Sequence, residues 1–162
     1  AAIRTLRAVT VEQEQKEGNT MNERVLLVDD EQDFMDVLAE RMRDRGMEVT
    51  TSTSPFAAME QVGAENFDAI ILDLMMPEMN GLEALARLRE NNPDLQIILL
   101  TGHATIEKGI EAMKLGAMDF LEKPIDIKML EEKIHEAKAH KLVLVEKRTE
   151  EVIKNIIGCK GW

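Results

Sequence analysis

Short apolar runs alternate with segments of helical spacing through most of the chain. The apolar runs lie at residues 25–28, 69–72, 97–100 and 117–121, and a weaker β-branched run lies at 48–51. Between these runs, apolar residues recur every three or four positions, as they do in an amphipathic helix. Strands that are apolar on both faces and separated by helices are typical of a parallel sheet covered on both sides. The pattern therefore predicts an α/β fold with a doubly wound, five-stranded parallel sheet.

Turn and capping residues mark the ends of the predicted helices. Gly46 follows the first helix, Ser54 with Pro55 begins the second, and Asn80 with Gly81 precedes the third. On the first helix, the spacing places one set of side chains on a common face: Phe34, Val37, Leu38, Arg41 and Met42.

Composition and charge argue against several classes of function. The net charge is −11, and most of the acidic excess lies within residues 21–125. An acidic body is unsuited to direct nucleic-acid binding, which needs clustered Lys and Arg. The apolar runs are far shorter than the ~20 residues that span a bilayer, and the first twenty residues lack the apolar stretch of a secretory signal. The single cysteine, Cys159, excludes an internal disulfide. We therefore expect a cytoplasmic protein without membrane or nucleic-acid contact.

Polar side chains follow four of the predicted strands. Asp29 and Asp30 end the first strand, Asp73 ends the third, Thr101 ends the fourth, and Lys123 follows the fifth. In doubly wound folds, ligands bind outside the carboxyl ends of the strands. We therefore expect three carboxylates, a hydroxyl and an ammonium to converge on one shallow pocket, with Asp73 at an open edge rather than buried in the core.

This set of groups suits phosphoryl transfer. Crowded carboxylates raise each other's pKa unless a cation intervenes, and Mg²⁺ prefers one or two carboxylates with water and phosphate oxygens. The pair Asp29 and Asp30 is the better metal site, and Asp73, alone in the middle of the edge, is the best nucleophile for an aspartyl phosphate. Lys123 and Thr101 suit the oxygens of the phosphoryl group. Taken singly, each Asp has a plainer interpretation as an Asx turn or a helix cap, and the joint placement favours the site.

Four motifs, in order, resemble the receiver domain of bacterial response regulators. They are VLLVDDE at 25–31, IILDLMMPEMNG at 70–81, IILLTGHA at 97–104 and DFLEKP at 119–124. The resemblance implies a CheY-like, flavodoxin-like sheet of strand order 2-1-3-4-5, flanked by five helices, with an extended C-terminal helix. It covers residues 21–141 and leaves 1–20 as a poorly ordered leader or upstream extension, and 142–162 as a C-terminal helical extension.

The resemblance also implies a role for each site residue. Asp73 would accept a phosphoryl group from a sensor histidine kinase, a phosphotransfer protein or a small phosphodonor, so the chain would be a signalling domain rather than an enzyme. Asp30 would bind Mg²⁺ directly and Asp29 mostly through water. Asp73 and the Met75 backbone carbonyl would complete the protein ligands, and Lys123 would contact the phosphoryl group.

Two further roles concern the switch and the lifetime of the phosphoryl group. Thr101 would move to bind the phosphoryl group, and Phe120 occupies the place of an aromatic switch that turns inward, although simple core packing would also explain a Phe there. The positions that tune lifetime in the family hold Met75 and His103. Neither is a carboxylate or an amide that would orient an attacking water, so we expect a phosphoryl group that persists for a moderate to long time.

Three interpretations of the whole chain stay open at the level of sequence. The first is a single-domain response regulator that signals through protein–protein contact with an unknown downstream target. The second is the receiver fragment of a larger transcriptional regulator. The third is a Mg²⁺-dependent phosphohydrolase with an Asp nucleophile, but that class uses an acid two residues after the nucleophile. Here that residue is Met75, which cannot transfer a proton.

The last helix carries two apolar stripes. The first stripe is formed by Ile127, Leu130, Ile134 and Ala137 and is expected to pack on the sheet. The second is displaced around the helix and is formed by Leu142, Val145, Val152 and Ile156. Either the second stripe pairs with another copy, giving a homodimer, or with a partner, or this part of the helix frays.

Overall fold

The chain forms one parallel sheet with helices on both faces, seen in a computed structural model that describes residues 22–102 and 104–159. The strands are β1 (Arg24–Val28), β2 (Glu48–Ser52), β3 (Ala69–Leu72), β4 (Ile97–Thr101) and β5 (Asp119–Glu122). The helices are α1 (Gln32–Asp44), α2 (Pro55–Ala64), α3 (Gly81–Asn91), α4 (Ile106–Lys114) and α5 (Ile127–Cys159). All neighbouring strands pair in parallel, in the order β2-β1-β3-β4-β5. The predicted fold, strand order and long last helix are confirmed, whereas the predicted leader at 1–20 lies outside the described residues.

Each face of the sheet buries its own cluster of apolar side chains. Leu26 and Leu99 pack with residues of α2, α3 and α4 in one cluster. Val25 and Ile98, their neighbours along the strands, pack with residues of α1 and α5 in the other. Because successive strand residues point to opposite faces, both must be apolar, which explains the unbroken runs in the sequence. Polar chemistry is therefore confined to the strand ends and the loops.

The helix starts follow the local signals in the sequence. The Ser54 side chain accepts a hydrogen bond from the Ala57 N–H at the start of α2. Asn80 Oδ1 accepts from the Leu82 N–H over 2.8 Å at the start of α3. Gly46 lies just after α1 with a φ of +88°, a conformation that favours glycine. These predicted boundaries are confirmed.

The buried face of α1 is rotated from the predicted one. Met35, Leu38, Ala39 and Met42 are buried, whereas Val37 is 53% exposed. The prediction was wrong for Val37 because apolar side chains at neighbouring positions allow two overlapping stripes on this helix. The sheet covers the stripe that runs through Met35.

Helix α5 continues past the sheet and is tied back to the domain. Leu130, Ile134 and Ala137 of its first stripe are fully buried, as predicted. Farther along, Arg148 contacts the buried Asp94 at two points, Nη1 to Oδ2 over 2.6 Å and Nη2 to Oδ1 over 2.9 Å. The division of the chain at residue 141 stays a prediction, and the helix touches the domain as far as Arg148. None of the helices described combines the length and the apolar composition needed to cross a membrane.

Replacing Arg148 with alanine should loosen the C-terminal part of α5. Ala is a better helix former than most residues, so any loss of protection would come from the lost contact with Asp94. We expect amide hydrogen exchange over residues 145–159 to become about three- to fivefold faster, corresponding to roughly 1 kcal/mol for a two-point ion pair with one buried partner. Lys147→Ala is the matched control, since Lys147 is exposed at the adjacent position. Equal exchange in both variants would show that the ion pair does not hold the helix.

Candidate functional site

The carboxylates, hydroxyl and ammonium predicted for the site lie at the carboxyl edge of the sheet. Backbone hydrogen bonds hold the strand ends side by side there. The Asp73 N–H donates to the Val28 carbonyl over 2.9 Å, and the Lys123 N–H donates to the Thr101 carbonyl over 2.8 Å. The structure thus brings together the ends of four strands, and these five residues lie at or just after those ends: Asp29, Asp30, Asp73, Thr101 and Lys123.

Three carboxylates crowd together at this edge. Carboxylate oxygens of Asp29, Asp30 and Asp73 lie within 4.8 Å of one another. Asp30 is exposed, whereas Asp29 is only 2% exposed. A pocket of about 260 Å³ opens beside them, and Lys123 and Met75 also line it. Hard oxygen atoms at this spacing, beside a space open to water, form a donor set that fits Mg²⁺.

The side chain of Asp73 is buried, contrary to the expectation of an open edge. It is 5% exposed, and the loop after β3 folds back onto its backbone. The Gly81 N–H donates to the Leu74 carbonyl over 2.8 Å. A Cβ atom at Gly81 would lie 2.4 Å from the Asp73 carbonyl oxygen and 2.6 Å from Leu74 Cα. Only glycine allows this approach, so Gly81 shapes the site as well as starting α3.

Burial and charge crowding both act on the protonation of Asp73. Burial, followed by the neighbouring Asp29 carboxylate, raises the pKa of Asp73 from 3.8 to about 6, and Asp30 adds a smaller effect in the same direction. The Lys123 ammonium and a hydrogen bond from the Met75 N–H lower this pKa, without offsetting the rise. The folded protein thus holds Asp73 in an environment that is short of positive charge.

Lys123 is held by two groups of different chemistry. Its Nζ atom lies 2.6 Å from Asp29 Oδ2 and 4.1 Å from the centre of the Phe34 ring. The other oxygen of the same carboxylate, Asp29 Oδ1, accepts from the Glu31 N–H over 2.9 Å. Asp29 therefore closes a local Asx turn and binds the ammonium as well, and its role as a metal ligand stays a prediction. The sequence analysis missed Phe34 at this site, since its spacing signals only helix packing.

The two predicted switch residues lie along the same side of the sheet. Thr101 is fully buried at the end of β4. Phe120 on β5 pairs in register with Leu99 and is half-buried, and its ring lies 3.4 Å from where a Cβ atom would stand at Gly109 of α4. Their roles, like the Met75 carbonyl as a metal ligand, stay predictions. His103, and with it part of the argument on phosphoryl lifetime, lies outside the described residues.

Replacing Asp73 with asparagine should stabilise the protein at neutral pH when metal is removed with EDTA. A raised carboxyl pKa means that the folded state binds a proton more readily than the unfolded state. The destabilisation of the folded state by the ionised Asp73 carboxylate is therefore absent below pH ~4 and fully present above the pKa of the folded state, about 6. We expect the free energy of unfolding of Asp73→Asn to exceed that of the parent by up to about 3 kcal/mol at pH 7.5, with the difference shrinking as pH falls from ~6.5 to ~4.

Urea unfolding across this pH range measures the difference. Asp126→Asn is the matched control, because Asp126 Oδ1 accepts from the Lys128 N–H over 3.0 Å at the start of α5 and asparagine caps a helix equally well. A difference between Asp73→Asn and the parent that does not change with pH would contradict the assigned cause.

The chain matches known proteins over the region that carries this site. The response regulator receiver domain family matches residues 25–135. The transcriptional regulatory protein ZraR of Escherichia coli strain K12 is 34% identical over 116 residues, which are 72% of this chain and 26% of that protein. The chain thus spans about a quarter of the length of such relatives.

Solved structures of receiver domains and response regulators share the fold of this chain. The beryllofluoride-activated NtrC4 receiver domain dimer matches with a TM-score of 0.69 and 31% identity, covering 73% of this chain and 98% of that one. A response regulator of Burkholderia pseudomallei, solved with a phosphorylated aspartic acid, a calcium ion and citrate, matches with a TM-score of 0.66 and 30% identity. That match covers 80% of this chain and 75% of that one. Such domains act in two-component signalling and are not enzymes of the ordinary kind. The chain belongs to the family of response regulator receiver domains.

Proposed function

We propose that this domain receives a phosphoryl group on Asp73 and signals its presence through protein–protein contact. One observation carries the proposal: the buried Asp73 carboxylate lines a pocket that Asp30 and the Lys123 ammonium also line, and the Asp29 carboxylate lies beside these groups. A carboxylate buried beside like charges is stabilised most by a bound cation, and Mg²⁺ is the cation that suits phosphoryl transfer. The same arrangement offers no group two residues after Asp73 that could act as a general acid, since Met75 stands there.

On the protein's side, the transfer step uses groups at this edge of the sheet. An oxygen of Asp73 attacks phosphorus, the bond between phosphorus and the donor atom breaks, and its electron pair leaves with the donor. Lys123 donates to the phosphoryl oxygens, and the Thr101 hydroxyl binds the same group after a small movement. Lys123 and Thr101 would bind negative charge that is present only after the phosphoryl group has been transferred. Their contacts would therefore differ between the unphosphorylated and the phosphorylated domain.

Mg²⁺ fits the oxygen donors at this edge. Asp30, which is exposed, would bind it directly, and Asp29 mostly through water. Asp73 and the Met75 carbonyl would complete the protein ligands. Receiver domains generally bind Mg²⁺ at an acidic pocket, where the ion neutralises carboxylate and phosphoryl charge. The raised pKa of Asp73 supports the assignment, because it reports the charge that a cation would offset.

The output face proposed here runs from Thr101 to α4 and β5. Phe120 lines an open groove on that face together with three exposed apolar side chains of α4: Ile106, Ile110 and Met113. Movement of Thr101 toward the phosphoryl group would leave space for the Phe120 ring to turn inward. The change in buried area would then report the state of Asp73 to a protein partner.

The partners follow from the same assignment. Receiver domains interact with histidine kinases or phosphotransfer proteins, and we propose one of these as the phosphodonor. A receiver that forms part of a larger transcriptional regulator is the second candidate, and the names and lengths of relatives such as ZraR favour it. A cytoplasmic location and the lack of direct nucleic-acid binding stay predictions.

We further propose that the exposed stripe of α5 pairs with the same stripe of a second copy. Leu142, Val145, Val152 and Ile156 are each about half exposed, although they lie on one face of a continuous helix. Their 3-4 spacing is that of a coiled-coil seam, with Thr149 filling the position between Val145 and Val152. The beryllofluoride-activated NtrC4 receiver domain, a relative in fold, is itself a dimer in solution.

Incubation with Mg²⁺ and acetyl phosphate should add one phosphoryl group to the chain, seen by intact-mass measurement. Asp73→Asn removes the nucleophile and should abolish the addition, and EDTA should suppress it. Lys123→Ala should slow it at least tenfold, because the phosphoryl oxygens lose a charge-assisted hydrogen bond.

Asp126→Asn, at the start of α5, is the matched carboxylate control and should be labelled at the parent's rate. Addition that persists in Asp73→Asn would refute the assigned acceptor. Steady hydrolysis of organic phosphates by the parent would instead favour a phosphohydrolase.

Val152→Glu should convert the proposed dimer into a monomer in sedimentation equilibrium. The substitution buries a carboxylate in the seam, where it would face its own copy. Lys154→Glu is the control, since it changes charge on the same exposed turn without touching the seam. A parent protein that sediments as a monomer at all concentrations tested would contradict the pairing.

A further inference from the structure

The aromatic ring of Phe34 lies against the one ammonium group at the described site. Phe34 is on the first turn of α1, and its ring centre is 4.1 Å from Lys123 Nζ. This distance is well inside the range in which the negative face of an aromatic ring attracts a cation. The two residues are 89 positions apart in sequence, and α1 and the loop after β5 bring them together.

The ring and the Asp29 carboxylate hold Lys123 in different ways. Asp29 Oδ2 lies 2.6 Å from the ammonium and offsets its charge. Asp29 is also a proposed metal ligand, and a cation sharing that carboxylate would weaken its hold on Lys123. The Phe34 ring carries no net charge, so it attracts the ammonium without neutralising it and without competing for metal.

We propose that Phe34 is a positioning residue that keeps the Lys123 ammonium aimed at the phosphoryl group once Asp29 is engaged by metal. This inference rests on the proposed function of Asp73 and Lys123. Lys123 has a long, flexible side chain, and its Nζ would otherwise have several orientations to sample. A ring fixed by helix packing limits those orientations, because Phe34 also packs against the apolar cluster between the sheet and α1.

The first test compares rates of Asp73 phosphorylation with acetyl phosphate at saturating Mg²⁺. Phe34→Leu keeps an apolar side chain of similar bulk but removes the aromatic face, and Phe34→Tyr keeps that face. We expect Phe34→Leu to be about three- to tenfold slower than the parent and Phe34→Tyr to be close to it. Phe56→Leu is the matched control, because Phe56 is an exposed residue of α2.

A double-mutant comparison separates positioning from packing. If Phe34 acts through Lys123, Phe34→Leu should not slow a Lys123→Ala protein any further. A purely structural role would reduce the rate by the same factor in both backgrounds, and that result would overturn the inference. Equal rates in Phe34→Leu and the parent would also overturn it.

A measurement without phosphodonor keeps the inference testable if the proposed function fails. The ring should shift the proton resonances of the Lys123 Cε methylene upfield in the parent and in Phe34→Tyr, and this shift should vanish in Phe34→Leu. An unshifted parent spectrum would refute the contact itself. A parent that is never labelled, or an Asp73→Asn protein that is labelled, would refute the proposed function and leave the ring contact to be judged by the spectrum.

Discussion

Three carboxylates and one ammonium share the carboxyl edge of the sheet, and the ion pair between Lys123 and Asp29 holds this arrangement together. Parallel pairing brings the ends of β1, β3 and β5 to the same edge, and it necessarily brings their charges there as well. Asp29 Oδ2 and Lys123 Nζ lie 2.6 Å apart, in a setting where both side chains are largely shielded from water. Without the ammonium, the repulsion between Asp29 and Asp73 would act almost unscreened.

One ammonium does not balance three carboxylates, and the excess negative charge favours binding of a group that brings positive charge or hydrogen-bond donors. The raised pKa of Asp73 shows that the folded protein tolerates this carboxylate rather than favouring its charge. A group that brings positive charge or hydrogen-bond donors is therefore bound with more energy than the same group at a balanced site. Gly81 adds the steric part of this constraint. The loop lies so close to the Asp73 backbone that no side chain fits at position 81.

The sequence predicted the parts of this arrangement that depend on local pattern. Apolar runs located the strands, and the polar residue after each run located the edge, because parallel topology converts strand ends into neighbours. The burial of the Asp73 side chain was not predictable in this way, since it depends on how distant parts of the chain pack around the end of β3. The contact between the Phe34 ring and Lys123 was also not predictable, because nothing in the local sequence links two residues that meet only through packing.

Helix α5 likewise combines a feature that the sequence predicts with one that it does not. The packing of the first stripe was predictable because its 3-4 apolar spacing is that of a helix face packed on a sheet. Leu130, Ile134 and Ala137 are indeed fully buried. The contact from Arg148 to Asp94 follows from no pattern, yet it adds an attachment of the helix to the domain. Because α5 is one continuous helix whose first stripe packs on the sheet, the second stripe has a constant rotation relative to the sheet. A partner on this stripe would therefore be held in a defined orientation to the rest of the domain, including α4 and β5.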